Sequence, residues 1–311
     1  MGLLELFRRK TVSSPANSSD IDLFDDDFQR KIEYLAIVSR RVFAGKLRAE
    51  KRTRKTGSGI EFADHRDYVP GDDFRYLDWN AYQRFGKLLL RLFEEEEDLS
   101  VYLILDVSGS MGFGNGRKLA YGKRLIAALA YIGLANLDRV AIITTSDRVL
   151  ARMPSTRGKQ RIFRVFDFLR ETKADGVTDL DQALKVFVSQ HKRKGLAILV
   201  SDLCDPAGFE NGINALRYNK FEPYVLHLVD PVDAQPSLRG DVRIYDCETG
   251  EEREVTVTPR VLSNYREAFE RHLHDARSFC TKKQVSYALT NIDVPFEDTV
   301  LRFLRRSGIL G

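Results

Sequence analysis

From Val101 onward the chain alternates short apolar runs with stretches of helical periodicity. Apolar runs at 101–107, 140–145, 196–201, 224–229 and 285–290 are separated by amphipathic segments near 118–136, 159–171, 179–191, 207–217 and 260–281. Strands this short and this apolar, joined by helices, suit a mostly parallel sheet with both faces covered. The predicted fold class is therefore α/β, a doubly wound and mostly parallel sheet. One segment departs from the rhythm. The alternating runs at 242–246 and 254–257, around a turn containing Gly250, predict a β-hairpin inserted at about 237–258.

Upstream, residues 1–27 are rich in Ser and Asp and read as a disordered linker. A second region, 28–98, begins with Phe28, Ile32, Leu35, Ala36, Val42 and Phe43 at helical spacing, interrupted by Ser39. It continues through a basic stretch, Lys46 to Lys55, into the run Tyr68-Val69-Pro70-Gly71-Asp72-Asp73-Phe74-Arg75-Tyr76-Leu77-Asp78-Trp79. Here Pro70-Gly71-Asp72-Asp73 predicts a turn, and Phe74, Tyr76 and Trp79 are expected to pack against the α/β domain. Arg66, Arg75 and Arg84 beside Asp67, Asp72, Asp73 and Asp78 predict an ion-pair network, each exposed pair contributing about 0–1 kcal/mol. The α/β domain itself is assigned to 99–311.

Charge narrows the function classes. Lys plus Arg total 49 against 45 Asp plus Glu, a balance of +4 that is too small to make nucleic acid the main partner. The nucleic-acid alternative rests on the 46–55 stretch and on Arg157, Lys159, Arg161 and Arg164. Three cysteines without CxxC spacing argue against a zinc site and for a reducing compartment. No apolar run approaches the roughly 20 residues that span a bilayer, and the N-terminus lacks a secretory apolar stretch. A cytoplasmic location is expected. The opening decapeptide mixes apolar and basic residues, which suits a weak membrane contact, although Leu6 stands where a myristoylation signal needs Ser or Thr.

The chemistry concentrates where the first apolar run ends, in Asp106-Val107-Ser108-Gly109-Ser110. Alternate residues of an extended chain point the same way, so one carboxylate and two hydroxyls converge. Thr178, ahead of a helix, and Asp202, at another strand end, lie where neighbouring loops would complete the set. An all-oxygen shell suits Mg²⁺ or Mn²⁺, and with few protein charges the ion keeps a position open for an outside carboxylate. Each residue also has a plainer reading. Thr178 with Asp181 fits a helix N-cap, Ser108 and Ser110 fit loop hydroxyls, and Asp202 fits an ordinary strand-end carboxylate. Asp205 before Pro206 reads as an N-cap with proline at the first helical position. Asp106 as a hydrolase nucleophile would require a second carboxylate where Ser108 stands, so no enzymatic activity is expected; a metal-dependent hydrolase remains the alternative. Gly109, Gly112, Gly114 and Gly116 match neither common phosphate-binding pattern and read as a flexible loop.

Taken in order, Asp106, Ser108, Ser110, Thr178 and Asp202 resemble the metal-ion-dependent adhesion site of von Willebrand factor A domains, over about residues 99–295. The resemblance implies that Asp106, Ser108 and Ser110 ligate the metal, Thr178 binds directly or through water, and Asp202 acts through water. A partner's acidic residue then completes the shell. The run from Tyr68 to Trp79, with Arg84 and Gly86, is similar to the bacterial family called domain of unknown function 58. That resemblance implies a MoxR-type AAA+ ATPase as partner and a chaperone-like role in assembling a client protein. Many members of that family carry transmembrane segments near the N-terminus, and this sequence shows none.

Overall fold

The computed structural model describes residues 9–10, 23–50, 52–56, 61–96 and 100–306. Residues 1–8 of the opening decapeptide, most of the acidic linker and the side chains of the 46–55 basic stretch lie outside the described residues, whereas Arg9 and Lys10 pair antiparallel with Asp246 and Tyr245. Helix α1 (Asp26–Glu50) is followed by β1 (Arg52–Thr56), β2 (Glu61–Asp67), helix α2 (Trp79–Phe85) and β3 (Leu89–Glu96). The three strands form an antiparallel sheet in the order β1-β3-β2. Asp78 starts α2 by accepting the amides of Asn80 and Ala81, both at 3.0 Å.

The larger part of the chain runs β4 (Ser100–Asp106), α3 (Gly109–Gly112), α4 (Arg117–Ala135), β5 (Arg139–Thr145), β6 (Val149–Thr156), α5 (Ile162–Glu171) and α6 (Leu180–Gln190). It continues through β7 (Leu196–Ser201), α7 (Glu210–Tyr218), β8 (Glu222–Val229), α8 (Pro231–Ala234), β9 (Gly240–Asp246) and β10 (Glu252–Val257). Helix α9 (Pro259–Lys282), β11 (Ser286–Asn291) and α10 (Phe296–Arg306) complete it. The central sheet has the order β11-β8-β7-β4-β5-β6, with every pairing parallel except β5 to β6. The protein is thus mixed α/β with a mostly parallel central sheet, as the alternation of apolar runs predicts. β9 and β10 pair as the expected hairpin. Strand β6 left no apolar run because it is an edge strand carrying Arg152 and Pro154.

The central strands β4 and β7 are buried along their whole length because both faces of the sheet are covered there. Val101, Leu103 and Leu105 of β4 pack with Ile142, Ile198 and Leu226 under α1, α4, α5 and α10. Their neighbours Tyr102 and Ile104 face the opposite way, with Ile143, Leu199 and Val225, against α6, α7 and α9. Two domain boundaries change as a result. Phe24, assigned to the disordered linker, is fully buried and stacks on Phe166 with centroids 4.7 Å apart. Helix α1, assigned to the upstream region, is part of the α/β domain: its Phe28 ring lies 4.9 Å from that of Phe296, and Lys31 pairs with Glu297 at 2.8 Å. An apolar stripe on a helix is stable only against another apolar surface, and α4 and α10 supply it. Ser39, the polar interruption, is buried and satisfied by the Ala36 carbonyl at 2.8 Å.

The aromatics of the 68–79 run also differ from expectation. Phe74 and Trp79 are 61% and 58% exposed rather than packed on the α/β domain, and Tyr82 and Phe85 are exposed beside them. Leu77, Ala81 and Leu90 are the residues buried here among those described, while Phe74 stacks on Tyr68 with centroids 5.3 Å apart and Trp79 meets Tyr82 edge-on at 6.3 Å. The ion pairs form in part, with Arg66 to Asp72 at 2.7 Å and Arg75 to Asp73 at 2.6 Å. Among the described residues, no helix is long and apolar enough to cross a membrane.

A candidate cation-binding site at the sheet's switch point

After β4 the chain builds outward through β5 and β6, then returns to the other side of β4 for β7, β8 and β11. The reversal opens a crevice between the carboxyl ends of β4 and β7, where ligands bind in open α/β sheets. Asp106 ends β4, and Asp202 follows β7 directly.

Four of the five candidate side chains meet there. Asp106 Oδ1 accepts the Ser108 amide at 2.9 Å, and the Ser108 and Ser110 hydroxyls lie 3.0 Å apart. Ser110 Oγ donates to Asp202 Oδ1 at 3.1 Å. Asp106, Ser108, Ser110 and Asp202 therefore form one continuous hydrogen-bonded set, and all four are buried. The turn after β4 is not a flexible loop. Single-turn α3 follows Ser108, and Gly116, with φ of 70°, reverses the chain into α4.

Thr178 is buried at the margin of this set, and its hydroxyl donates to Glu248 Oε1 at 2.6 Å. It is not the helix cap: Asp179 caps α6 by accepting the Gln182 amide at 2.8 Å. Asp181 accepts instead from Asn211 and from the Gly212 amide. Asp205 is likewise not a helix cap, because α7 begins only at Glu210. It accepts the Ala207 amide at 2.8 Å within the intervening turn and reaches the Leu180 amide at 2.7 Å, tying that turn to the start of α6.

Three residues of the site were not foreseen. Ser201 donates to Asp106 Oδ2 at 2.5 Å, Lys118 donates to Asp202 Oδ2 at 2.5 Å, and Glu248 reaches Thr178 from the hairpin turn. Lys118 also pairs with Asp233 at 3.1 Å. A lysine early in a helix normally signals a solvated face, so composition offers no clue that this one is buried. Ser201 is legible only in hindsight, as the residue before Asp202. The hairpin turn carries no signal for Glu248.

Burial, then the neighbouring Asp202 charge, pushes the Asp106 carboxyl up to about 7. Burial works in the same direction on Asp202, but the Lys118 ammonium outweighs it and holds Asp202 below the usual carboxylate range. For Lys118, burial alone would favour the neutral amine, yet the Asp202 carboxylate keeps it charged. Asp106 is thus bonded to neutral donors, Ser201 and Ser108, while Lys118 serves Asp202. A divalent cation would supply the compensation that Asp106 lacks, and the oxygen-only donor set fits Mg²⁺ or Mn²⁺. Among the described residues no three His, Cys, Asp or Glu side chains are grouped as a metal cluster, so any cation held here would need hydroxyls as well as carboxylates in its shell.

Behind Asp202, buried His227 lies 2.9 Å from the Tyr287 hydroxyl, and burial pushes its pKa down to about 3. As pH falls below the ordinary histidine value, the unfolded chain takes up a proton that folded His227 refuses. Stability is therefore full above about pH 7 and is expected to drop by about 2 kcal/mol between pH 8 and pH 5 from this group. Urea unfolding at both pH values should show a drop smaller by that amount in His227→Gln. Identical pH dependence in the two proteins would refute the assignment.

The family model described as "Protein of unknown function DUF58" matches residues 64–278. Uncharacterized proteins of Mycobacterium bovis and Mycobacterium tuberculosis are 24% identical over 259 residues, covering 82% of this chain and 81% of theirs. Among solved structures, the conserved hypothetical protein BatB from Bacteroides thetaiotaomicron is 14% identical with a TM-score of 0.41, over 68% of this chain and 99% of that one. An aerotolerance-related membrane protein from Bacteroides fragilis is 14% identical with a TM-score of 0.43, over 68% of this chain and 98% of that one. With a match that runs from β2 into α9 and covers more than half of its length, the chain belongs to the DUF58 family.

Proposed function

We propose that the protein is a non-enzymatic, divalent-cation-dependent interaction module whose α/β domain is of the von Willebrand factor A type. Asp106, Ser108, Ser110, Thr178 and Asp202 would hold Mg²⁺ or Mn²⁺, and the bound ion would supply an electrophilic centre for a partner's carboxylate. The observation that carries this reading is the buried, hydrogen-bonded convergence of Asp106, Ser108, Ser110 and Asp202 at the switch point. The partner we propose is a MoxR-type AAA+ ATPase or its protein client, in chaperone-like assembly. The exposed aromatics at Phe74, Trp79, Tyr82 and Phe85 also favour an interaction role. A hydrolase reading is less favoured, because both Asp106 oxygens are already engaged, Oδ1 by the Ser108 amide and Oδ2 by the Ser201 hydroxyl, and Ser108 stands where a second carboxylate would be needed. Of the second basic group, Arg157 donates to the Leu137 carbonyl and Lys159 pairs with Glu33, which leaves less for a nucleic-acid surface.

Calorimetric titration tests this reading. Mg²⁺ or Mn²⁺ should bind wild type near one equivalent, and Asp106→Ala should remove the binding while leaving the far-UV spectrum unchanged. Equal binding by both proteins, or none by wild type, would sink the proposal.

A further inference from the structure

Glu248 sits in the turn between β9 and β10, remote in sequence from the residues it touches. Its Oε1 accepts the Thr178 hydroxyl at 2.6 Å and lies 3.4 Å from the donating Ser110 amide, while Oε2 accepts the Thr178 amide at 2.9 Å. The turn is built to present this side chain. Asp246 Oδ1 accepts the amides of Glu248 and Thr249 at 2.9 and 3.1 Å, and the Asp246 carbonyl accepts the Gly250 amide at 2.9 Å. The loop beneath is shaped to receive it. A Cβ on Gly109 would stand 2.8 Å from the Cys247 carbonyl oxygen and 2.9 Å from Glu248 Cγ, so the turn can settle here only over glycine.

A carboxylate held against Thr178 and Ser110 takes the position that an acidic residue from outside would need. We propose that Glu248 is an internal substitute for the partner's acidic side chain, so that the hairpin tip covers the site until a partner's carboxylate displaces it. This rests on the reading of the five residues as a divalent-cation site. The tip can lift without disturbing the central sheet, because the hairpin belongs to a separate sheet and the contacts to Thr178 and Ser110 come from one half-buried side chain. An acidic docking segment would therefore compete with Glu248 for Thr178 and Ser110, and binding would be coupled to movement of the tip.

The test uses the full chain loaded with Mn²⁺, with water-proton relaxation reporting exchangeable water on the ion and acetate as the probe carboxylate. Glu248→Ala removes the internal carboxylate. Gly109→Ala retains it but forces the tip off the loop, and its backbone conformation accepts alanine. Both variants should show about one more exchangeable water than wild type, as expected for a freed position on a six-coordinate ion. Acetate should displace that water in both variants and leave wild type unchanged. Equal water counts and acetate responses in all three proteins, each with Mn²⁺ bound, would overturn this proposal and leave the cation site standing. Failure of wild type to bind Mn²⁺ would overturn both.

Discussion

Lys118→Met is expected to lower the unfolding free energy of the metal-free protein by about 3–5 kcal/mol, the usual cost of removing one partner from a buried ion pair. Lys118 is only 4% exposed, and its ammonium bridges Asp202 at 2.5 Å and Asp233 at 3.1 Å. Methionine fills similar space but leaves Asp202 charged, buried and close enough to Asp106 to raise that carboxyl further. Urea unfolding in the presence of a chelator measures the loss. Divalent cation should then return part of it, so the rise in melting temperature on adding Mg²⁺ should be larger in Lys118→Met than in wild type. A cost below about 1 kcal/mol would place the pair among neutral surface contacts and refute its role as the site's resident cation.

Phe24→Ala is expected to cost about 3–5 kcal/mol, the range for deleting a buried aromatic ring from a packed core. The ring stacks on Phe166 at 4.7 Å, lies 5.4 Å from Phe28 and is covered by the Arg170 guanidinium at 5.5 Å. Its removal would leave a void between the start of α1 and α5. Urea unfolding again provides the measure. A change near zero would mean that residues before Phe28 contribute no packing, as their Ser- and Asp-rich composition suggests.

These two residues show where sequence reasoning stops. Phe24 lies in a stretch whose average composition is that of a linker, and Ile21, Leu23 and Phe24 are too few among its Ser and Asp residues to set a period or shift the average. Its burial depends on α5 arriving beside it from far along the chain. Lys118 stands in the first turn of a strongly apolar helix and looks like a residue of its wet end. What buries it is the return of Asp202 and Asp233 from distant segments. Trp79 fails in the opposite direction: an aromatic is expected to be buried, but its ring is 58% exposed and meets Tyr82 edge-on at 6.3 Å.

The sequence by itself determined the sheet and its coverage, because side chains buried on both faces of a parallel strand leave an uninterrupted apolar run that needs no partner to be recognised. It also placed Asp106 and Ser108 in one direction, since the repeat of an extended chain is local, and order along the chain placed Asp202 at a neighbouring strand end; Ser110 reaches the same side from the single turn of α3, not by extension. Only the tertiary structure decided which charges entered the crevice. The pairing of Lys118 with Asp202, the Ser201 hydroxyl on Asp106 and the hold of Glu248 on Thr178 are contacts between segments with no common period. Their energies arise from desolvation and from distances that exist only once the sheet has brought the strand ends together.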